Sequence, residues 1–228
     1  MTEPFAIPTS DGGAMPAEIA WPGATPAKAV VIVPPIFGIE GGTRDIMGDY
    51  AAKGFVVVTP DLFWRTIPGT LGREGAEREK AVQRSEAFDI EQGVKDLADA
   101  VAALRASPRC NGKVAVFGYC FGGRYAFLAG TRLGVDAAVA FHGVGIGHHL
   151  AEADRLSCPL SIHVGDKDPV VPMAEIEAIK AALGGKAGVE IRVYPGIGHG
   201  FTGKGRANYD ATADTESNAA ALRLLNAM

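Results

Sequence analysis

The stretch Val114-Ala115-Val116-Phe117-Gly118-Tyr119-Cys120-Phe121-Gly122-Gly123 decides how this chain is read. Residues 114–117 are an apolar run of strand length, and residues 121–131 read as a helix. A strand that turns into a helix around one residue cramps the backbone there. Gly118 and Gly122, two positions either side of Cys120, leave the room it needs. The pattern is a nucleophile elbow with cysteine where serine is commoner. The turn delivers Cys120 to a helix N-terminus, whose partial positive charge favours an anion. It also aims the Phe121 N–H at the same spot, where it can bind a developing oxyanion. Gly123 would let the new helix lie close to the sheet. A buried structural thiol is the plainer alternative, because cysteine is among the most buried residue types; the glycine frame weighs against it.

Outward from the elbow, strands and helices alternate. Upstream, residues 5–8 and 15–20 flank the turn-rich Ser10-Asp11-Gly12-Gly13 and predict a hairpin. Residues 29–33 are a continuous apolar run ending in Pro34-Pro35, as in a strand covered on both faces. A helix over 43–53 is stopped by Gly54, and a buried strand over 55–59 is closed by Pro60-Asp61. Residues 62–75, with Pro68, Gly69 and Gly72, predict a surface loop near the site, followed by helix. Ile90, Val94, Leu97, Val101 and Leu104 step at helical spacing up to Ser107-Pro108. Downstream, strands are expected over 137–141, 160–164 and 190–194, with helices near 173–183 and 217–225. Such alternation predicts an α/β fold, a largely parallel central sheet with helices on both faces. Nothing repeats at a fixed period and no linker divides the chain, so one domain over residues 1–228 is expected.

The totals narrow the function classes. A chain of 228 residues suits one large α/β domain and needs no metal or disulfide staple. Net charge is −4 with no long basic run, which argues against nucleic acid and anionic membranes as partners. Three cysteines, Cys110, Cys120 and Cys158, form an odd set and point to free thiols in a reducing compartment. The opening residues lack a basic start followed by an apolar core, and no apolar run is long enough to span a bilayer. A soluble, cytoplasmic protein is expected, as a monomer or small homo-oligomer.

A nucleophile needs a base and an acid to orient it. Two acids, Asp166 and Asp168, follow the strand over 160–164, where an orienting carboxylate belongs. After the next strand comes Pro195-Gly196-Ile197-Gly198-His199-Gly200-Phe201, a histidine on a glycine-flanked loop. His142 and His163 fall at strand ends, as core or rim residues do. His148 and His149 are adjacent and lack the spacing of metal ligands. Two glycine-rich stretches imitate nucleotide sites. Gly205 stands where a phosphate-binding loop after Gly198 would need Ser or Thr, and the 143–147 glycines lack the dinucleotide spacing.

Several segments together resemble the dienelactone hydrolase family of α/β-hydrolases over nearly the whole chain. They are Ile36-Phe37-Gly38, Pro60-Asp61-Leu62-Phe63, Glu86-Ala87-Phe88-Asp89, Asn111-Gly112-Lys113-Val114, the elbow, Asp168-Pro169-Val170-Val171-Pro172 and Gly198-His199-Gly200-Phe201. The Gly-Tyr-Cys-x-Gly-Gly elbow is specific to that family. The resemblance implies an α/β-hydrolase fold and a triad of Cys120, His199 and Asp168. It also implies an oxyanion hole from the backbone N–H groups of Ile36 and Phe121, with no metal or cofactor. Its best-known members hydrolyse a cyclic enol ester. They carry a glutamate where this chain has Pro35, a tyrosine where it has Val82, and a substrate-binding arginine where it has Gly203. Arg78 matches the other substrate-binding arginine; Lys204 or Arg206 stands near enough in sequence to replace the missing one. The implied activity is hydrolysis of a small ester or lactone. A general carboxylesterase would use the same residues, a non-catalytic small-molecule-binding protein would use the same pocket, and a redox sensor would use the same thiol.

Overall fold

In the computed structural model, which describes residues 1–228, the opening hairpin forms as β1 (Glu3–Pro8) antiparallel to β2 (Ala14–Ala20). The chain makes two compact units, Met1–Val114 and Ala115–Met228. In the first unit β3 (Ala27–Val33) runs parallel to β4 (Val56–Pro60), and β4 pairs antiparallel with β2. Their burial follows their composition. Val30 to Val33 and Val56 to Val58 are wholly inaccessible, as unbroken β-branched runs predict for covered strands. Between and after these strands lie α1 (Gly41–Ala52), α2 (Gly75–Glu86) and α3 (Ile90–Ala106). Asp89 caps α3 by accepting from Gln92 N at 3.1 Å. The helix buries Val94, Leu97, Val101 and Leu104 of the stripe seen in the sequence.

In the second unit, β5 (Cys110–Tyr119), from Ala115 onward, pairs parallel with β6 (Ala137–Phe141). β6 pairs with β7 (Leu160–Gly165), and β7 with β8 (Val189–Tyr194), again in parallel. The helices are α4 (Gly122–Arg132), α5 (Met173–Leu183) and α6 (Ala211–Ala227). A 3-10 segment, Ile146–Arg155, packs on α4 and α5, and α6 packs on β6 and β7. Phe117, Tyr125, Phe127 and Phe141 are fully buried, each removing enough apolar surface to contribute about 2–3 kcal/mol.

Three details differ from the sequence reading. β5 is longer than its apolar centre, because exposed residues 111–113 extend the strand where hydrophobicity gives no signal. α6 begins at Ala211 instead of 217, since Asp210 accepts from Ala213 N at 2.8 Å and starts the helix on small polar residues. The 62–75 segment is only partly a surface loop. Leu62 and Phe63 are 2% exposed, and Asp61 ties the segment inward by accepting from Phe63 N at 3.1 Å and Gly69 N at 2.6 Å.

Candidate active site

The elbow takes the backbone its glycines imply. Cys120 has φ +55, in the left-handed region, where a side chain other than glycine costs about 1–3 kcal/mol unless its surroundings hold it. The surroundings do hold it: Cys120 N donates to Phe141 O at 3.1 Å, and Cys120 O accepts from Gly123 N and Val144 N, both at 2.9 Å. A Cβ on Gly118 would lie 2.0 Å from Gly122 O, and one on Gly123 would lie 2.1 Å from Gly143 Cα. Only glycine allows the helix to start so close to the strand it leaves. Cys120 is a free, partly exposed thiol, and Phe121 opens the helix at φ −46, ψ −39.

Of the two acids after β7, Asp168 is the one paired with the histidine. Its Oδ2 lies 2.7 Å from His199 Nδ1. Its Oδ1 accepts from Val170 N at 2.8 Å and Val171 N at 3.1 Å, and its side chain is 0% exposed. Asp166 instead accepts from Gly196 N at 2.6 Å and shapes the loop base. His199 is also hydrogen-bonded to Cys120. Burial alone would lower the His199 pKa, but its hydrogen bonds to Asp168 and Cys120 and the charges of both outweigh that and raise it to about 9. The loop is braced from behind by Asn208 Nδ2, which donates to His199 O, so Gly200 has no space for a Cβ.

Cys120, Phe121, Asp168 and His199 thus gather in the second unit. Ile36 and Arg78 lie in the first. Ile36 O accepts from Arg84 Nε at 2.9 Å and Nη2 at 2.5 Å. Arg84, 1% exposed, also donates to Ile67 O at 2.7 Å and Gly69 O at 2.8 Å while its guanidinium stacks 4.2 Å over Phe63. This clamp leaves no mark in the sequence, because nothing local singles out an arginine whose partners lie 15 to 48 residues away. Arg78 is exposed on α2. Lys204 is exposed and Arg206 half-buried beyond His199; a Cβ at Gly203 would meet Arg206 Cδ at 2.9 Å, so the Arg206 side chain lies against Gly203. Pro35 and Val82 are half-buried in the first unit.

His142 and His163 are core residues, as their strand-end positions suggested, at 3% and 0% exposure. His142 also lies against the catalytic candidates, its ring centroid 4.8 Å from that of His199, a contact between distant positions that no local pattern signals. No three His, Cys, Asp or Glu side chains gather as metal ligands, and no helix is long and apolar enough to cross a membrane.

The model of the dienelactone hydrolase family matches residues 15–228. A carboxymethylenebutenolidase of Pseudomonas putida is 34% identical over 220 residues, covering 96% of this chain and 93% of that one. Carboxymethylenebutenolidase 1 of Cupriavidus pinatubonensis is 34% identical over 227 residues, covering 99% and 97%. A solved structure from Klebsiella pneumoniae, assigned as a dienelactone hydrolase, superposes with a TM-score of 0.86 at 25% identity, covering 99% of this chain and 98% of its own. The chain therefore belongs to the dienelactone hydrolase family, carboxylic ester hydrolases of the α/β-hydrolase fold.

Proposed function

We propose that the chain hydrolyses a small ester or lactone by acyl transfer through Cys120, with His199 as base and acid and Asp168 as its orienting partner. The observation that carries this reading is the unbroken relay of Asp168 to His199 at 2.7 Å and His199 to Cys120, set on a left-handed elbow.

The chemistry proceeds in two steps. The one proton that Cys120 and His199 share rests on His199, which its neighbours make basic enough to hold it. The sulfur attacks the carbonyl carbon, a C–S bond forms, and the carbonyl electron pair moves to oxygen, where the Phe121 N–H stabilises it. Collapse expels the alcohol or enol oxygen, which takes the proton from His199 and leaves a thioester. A water then gives its proton to His199 and attacks the thioester; the C–S bond breaks, the acid leaves, and the released Cys120 sulfur again shares that proton with His199, which restores the starting pair. Asp168 keeps the Nδ1 proton in place throughout and offsets the imidazolium charge. Activated esters and enol lactones suit this nucleophile, because their leaving oxygen departs easily.

The relatives named carboxymethylenebutenolidase support a lactone as substrate. Pro35, Val82 and Gly203 support a second reading, a broader carboxylesterase with a different grip on the substrate, in which Lys204 and Arg206, basic residues of the segment after His199, are assigned to an anionic group. A nucleophile that must stay a free thiol suits the reducing cytoplasm.

The test is hydrolysis of para-nitrophenyl acetate and of a dienelactone by the wild type and by Cys120→Ala, with mass spectrometry of the trapped enzyme. A burst and an acetyl adduct on Cys120, both absent from the variant, are expected. Full activity in Cys120→Ala would overturn the cysteine mechanism. Saturable lactone binding without turnover would favour the binding-protein reading, and preference for the aryl ester would favour the carboxylesterase.

A further inference from the structure

We propose that His142 is a positioning residue, which with Thr202 holds the His199 imidazole in the plane joining Asp168 to Cys120. The inference rests on the Cys120–His199–Asp168 reading above. Three residues of the loop that carries His199 meet this one ring. Its centroid lies 4.8 Å from the His199 ring at 72° and 5.5 Å from the Phe201 ring at 80°. Its Nε2 is hydrogen-bonded to Thr202 Oγ1 at 3.1 Å. Both partners of that bond are buried, His142 at 3% and Thr202 at 7% exposure, so the pair is made where leaving it unmade is most costly.

The bond from Asp168 fixes the distance of His199 Nδ1 but not the tilt of the ring about that contact. Proton transfer to and from Cys120 needs the opposite nitrogen in line with sulfur. A ring packed nearly at right angles across the imidazole blocks that tilt, provided the blocking ring is itself fixed. Thr202, three residues beyond His199, supplies the fixing, so the loop and the ring hold one another.

The backbone is a second, independent observation. His142 has φ +42, and Cys120 is the only other residue besides glycine with a positive φ. Strain of this kind persists only where neighbours enforce it, and it concentrates at functional sites. Here His142 N donates to His163 O at 2.7 Å, and Val144 N donates to Cys120 O at 2.9 Å. Between them Gly143 lies against Gly123, so the strained turn is pinned to the elbow itself. Packing on Phe201 would be served as well by a phenylalanine. What histidine adds is Nε2, and Nε2 is the atom that meets Thr202.

The test compares kcat and KM for para-nitrophenyl acetate in His142→Phe, Thr202→Val and Thr202→Ser, with rates expressed per active site titrated by the acyl burst, beside Cys120→Ala at equal protein concentration. We expect kcat to fall about 10- to 100-fold in His142→Phe and Thr202→Val, as small misplacements of a catalytic group do. KM should stay within about twofold, because a group that acts through the base and not on the substrate leaves binding alone. Thr202→Ser, which keeps the hydroxyl, should return kcat to near the wild-type value. The His199 Nδ1 proton resonance should broaden in the two impaired variants and recover in Thr202→Ser. Wild-type kcat in Thr202→Val, whatever its melting temperature, overturns the role, as does a loss carried wholly by KM. Full activity in Cys120→Ala would overturn the triad reading instead, an outcome that changes at Thr202 cannot imitate.

Discussion

Asp166 and Asp168 show how far a local pattern reaches. Both stand on one loop two residues apart, and nothing in composition or period separates them. The separation comes from the backbone: the N–H groups of Val170 and Val171 turn back onto Asp168 Oδ1, which leaves Oδ2 for His199. Cys120 was legible because its steric needs are local, met by glycines within three residues. Arg84 and His142 were not, because their partners are distant in sequence and meet them only in the folded chain. The Asp168 pairing carries its own prediction. Asp168→Asn keeps the shape but loses the charge and the tautomer control, so kcat should fall about 10³- to 10⁴-fold. The His199 pKa should drop from about 9 towards the ordinary 6.5, because one of the two partners that offset its burial is gone. NMR titration of the His199 ring protons would check the second effect, and an unchanged midpoint would refute it.

At the level of elements, the four parallel strands of the second unit are joined by a stack of rings. Tyr119 on β5 stacks on Phe141 of β6 at 4.5 Å, Phe141 on His163 of β7 at 5.7 Å, and His163 on Tyr194 of β8 at 6.0 Å. Tyr119 faces Phe141 in register, and Phe141 faces His163. Each ring precedes a site residue: Tyr119 comes just before Cys120 and Phe141 just before His142, while Asp168 and His199 follow His163 and Tyr194 by five residues. The strands themselves were readable from their apolar runs. The 3-10 segment Ile146–Arg155 was not, since it begins among glycines and lacks an apolar period of its own. The helix that matters most is α4, whose start must reach both the elbow and the turn after β6. In Gly123→Ala the new methyl would lie 2.1 Å from a backbone atom that cannot yield like a flexible side chain. We expect a loss above about 4 kcal/mol, at the extreme of single substitutions, or no soluble protein. Denaturant unfolding of that variant within about 1 kcal/mol of the wild type would show that α4 can retreat from Gly143.

For the whole molecule, a buried and a half-buried histidine set opposite limits on stability as pH changes. Burial, reinforced by the positive charges of Arg192 and Arg223, lowers the His163 pKa to about 3. Its ring is held between Ser161 Oγ at 2.8 Å and Tyr194 OH at 3.0 Å. The unfolded chain takes up a proton at this position below 6.5, while the folded chain refuses it until about 3, so stability falls as pH falls through that window. His199 has the opposite sign. Its contribution is complete below 6.5, where both states are protonated, and is lost as pH rises to about 9, where the folded state finally releases its proton. Cys158 extends the same limb: burial, then the charge of Asp136, raises its thiol to about 11, so stability drops further as the unfolded thiol ionises above 9. Together these place the stability maximum near pH 6.5, with the two sides under separate control. Melting temperatures from pH 4 to 10 for the wild type, His163→Gln and His199→Gln should show it. His163→Gln should flatten only the acid side, and His199→Gln only the stretch from 6.5 to 9. If both substitutions lowered the curve evenly at every pH, the two rings would be contributing packing and not protonation, and the opposed pair would not be what sets the maximum.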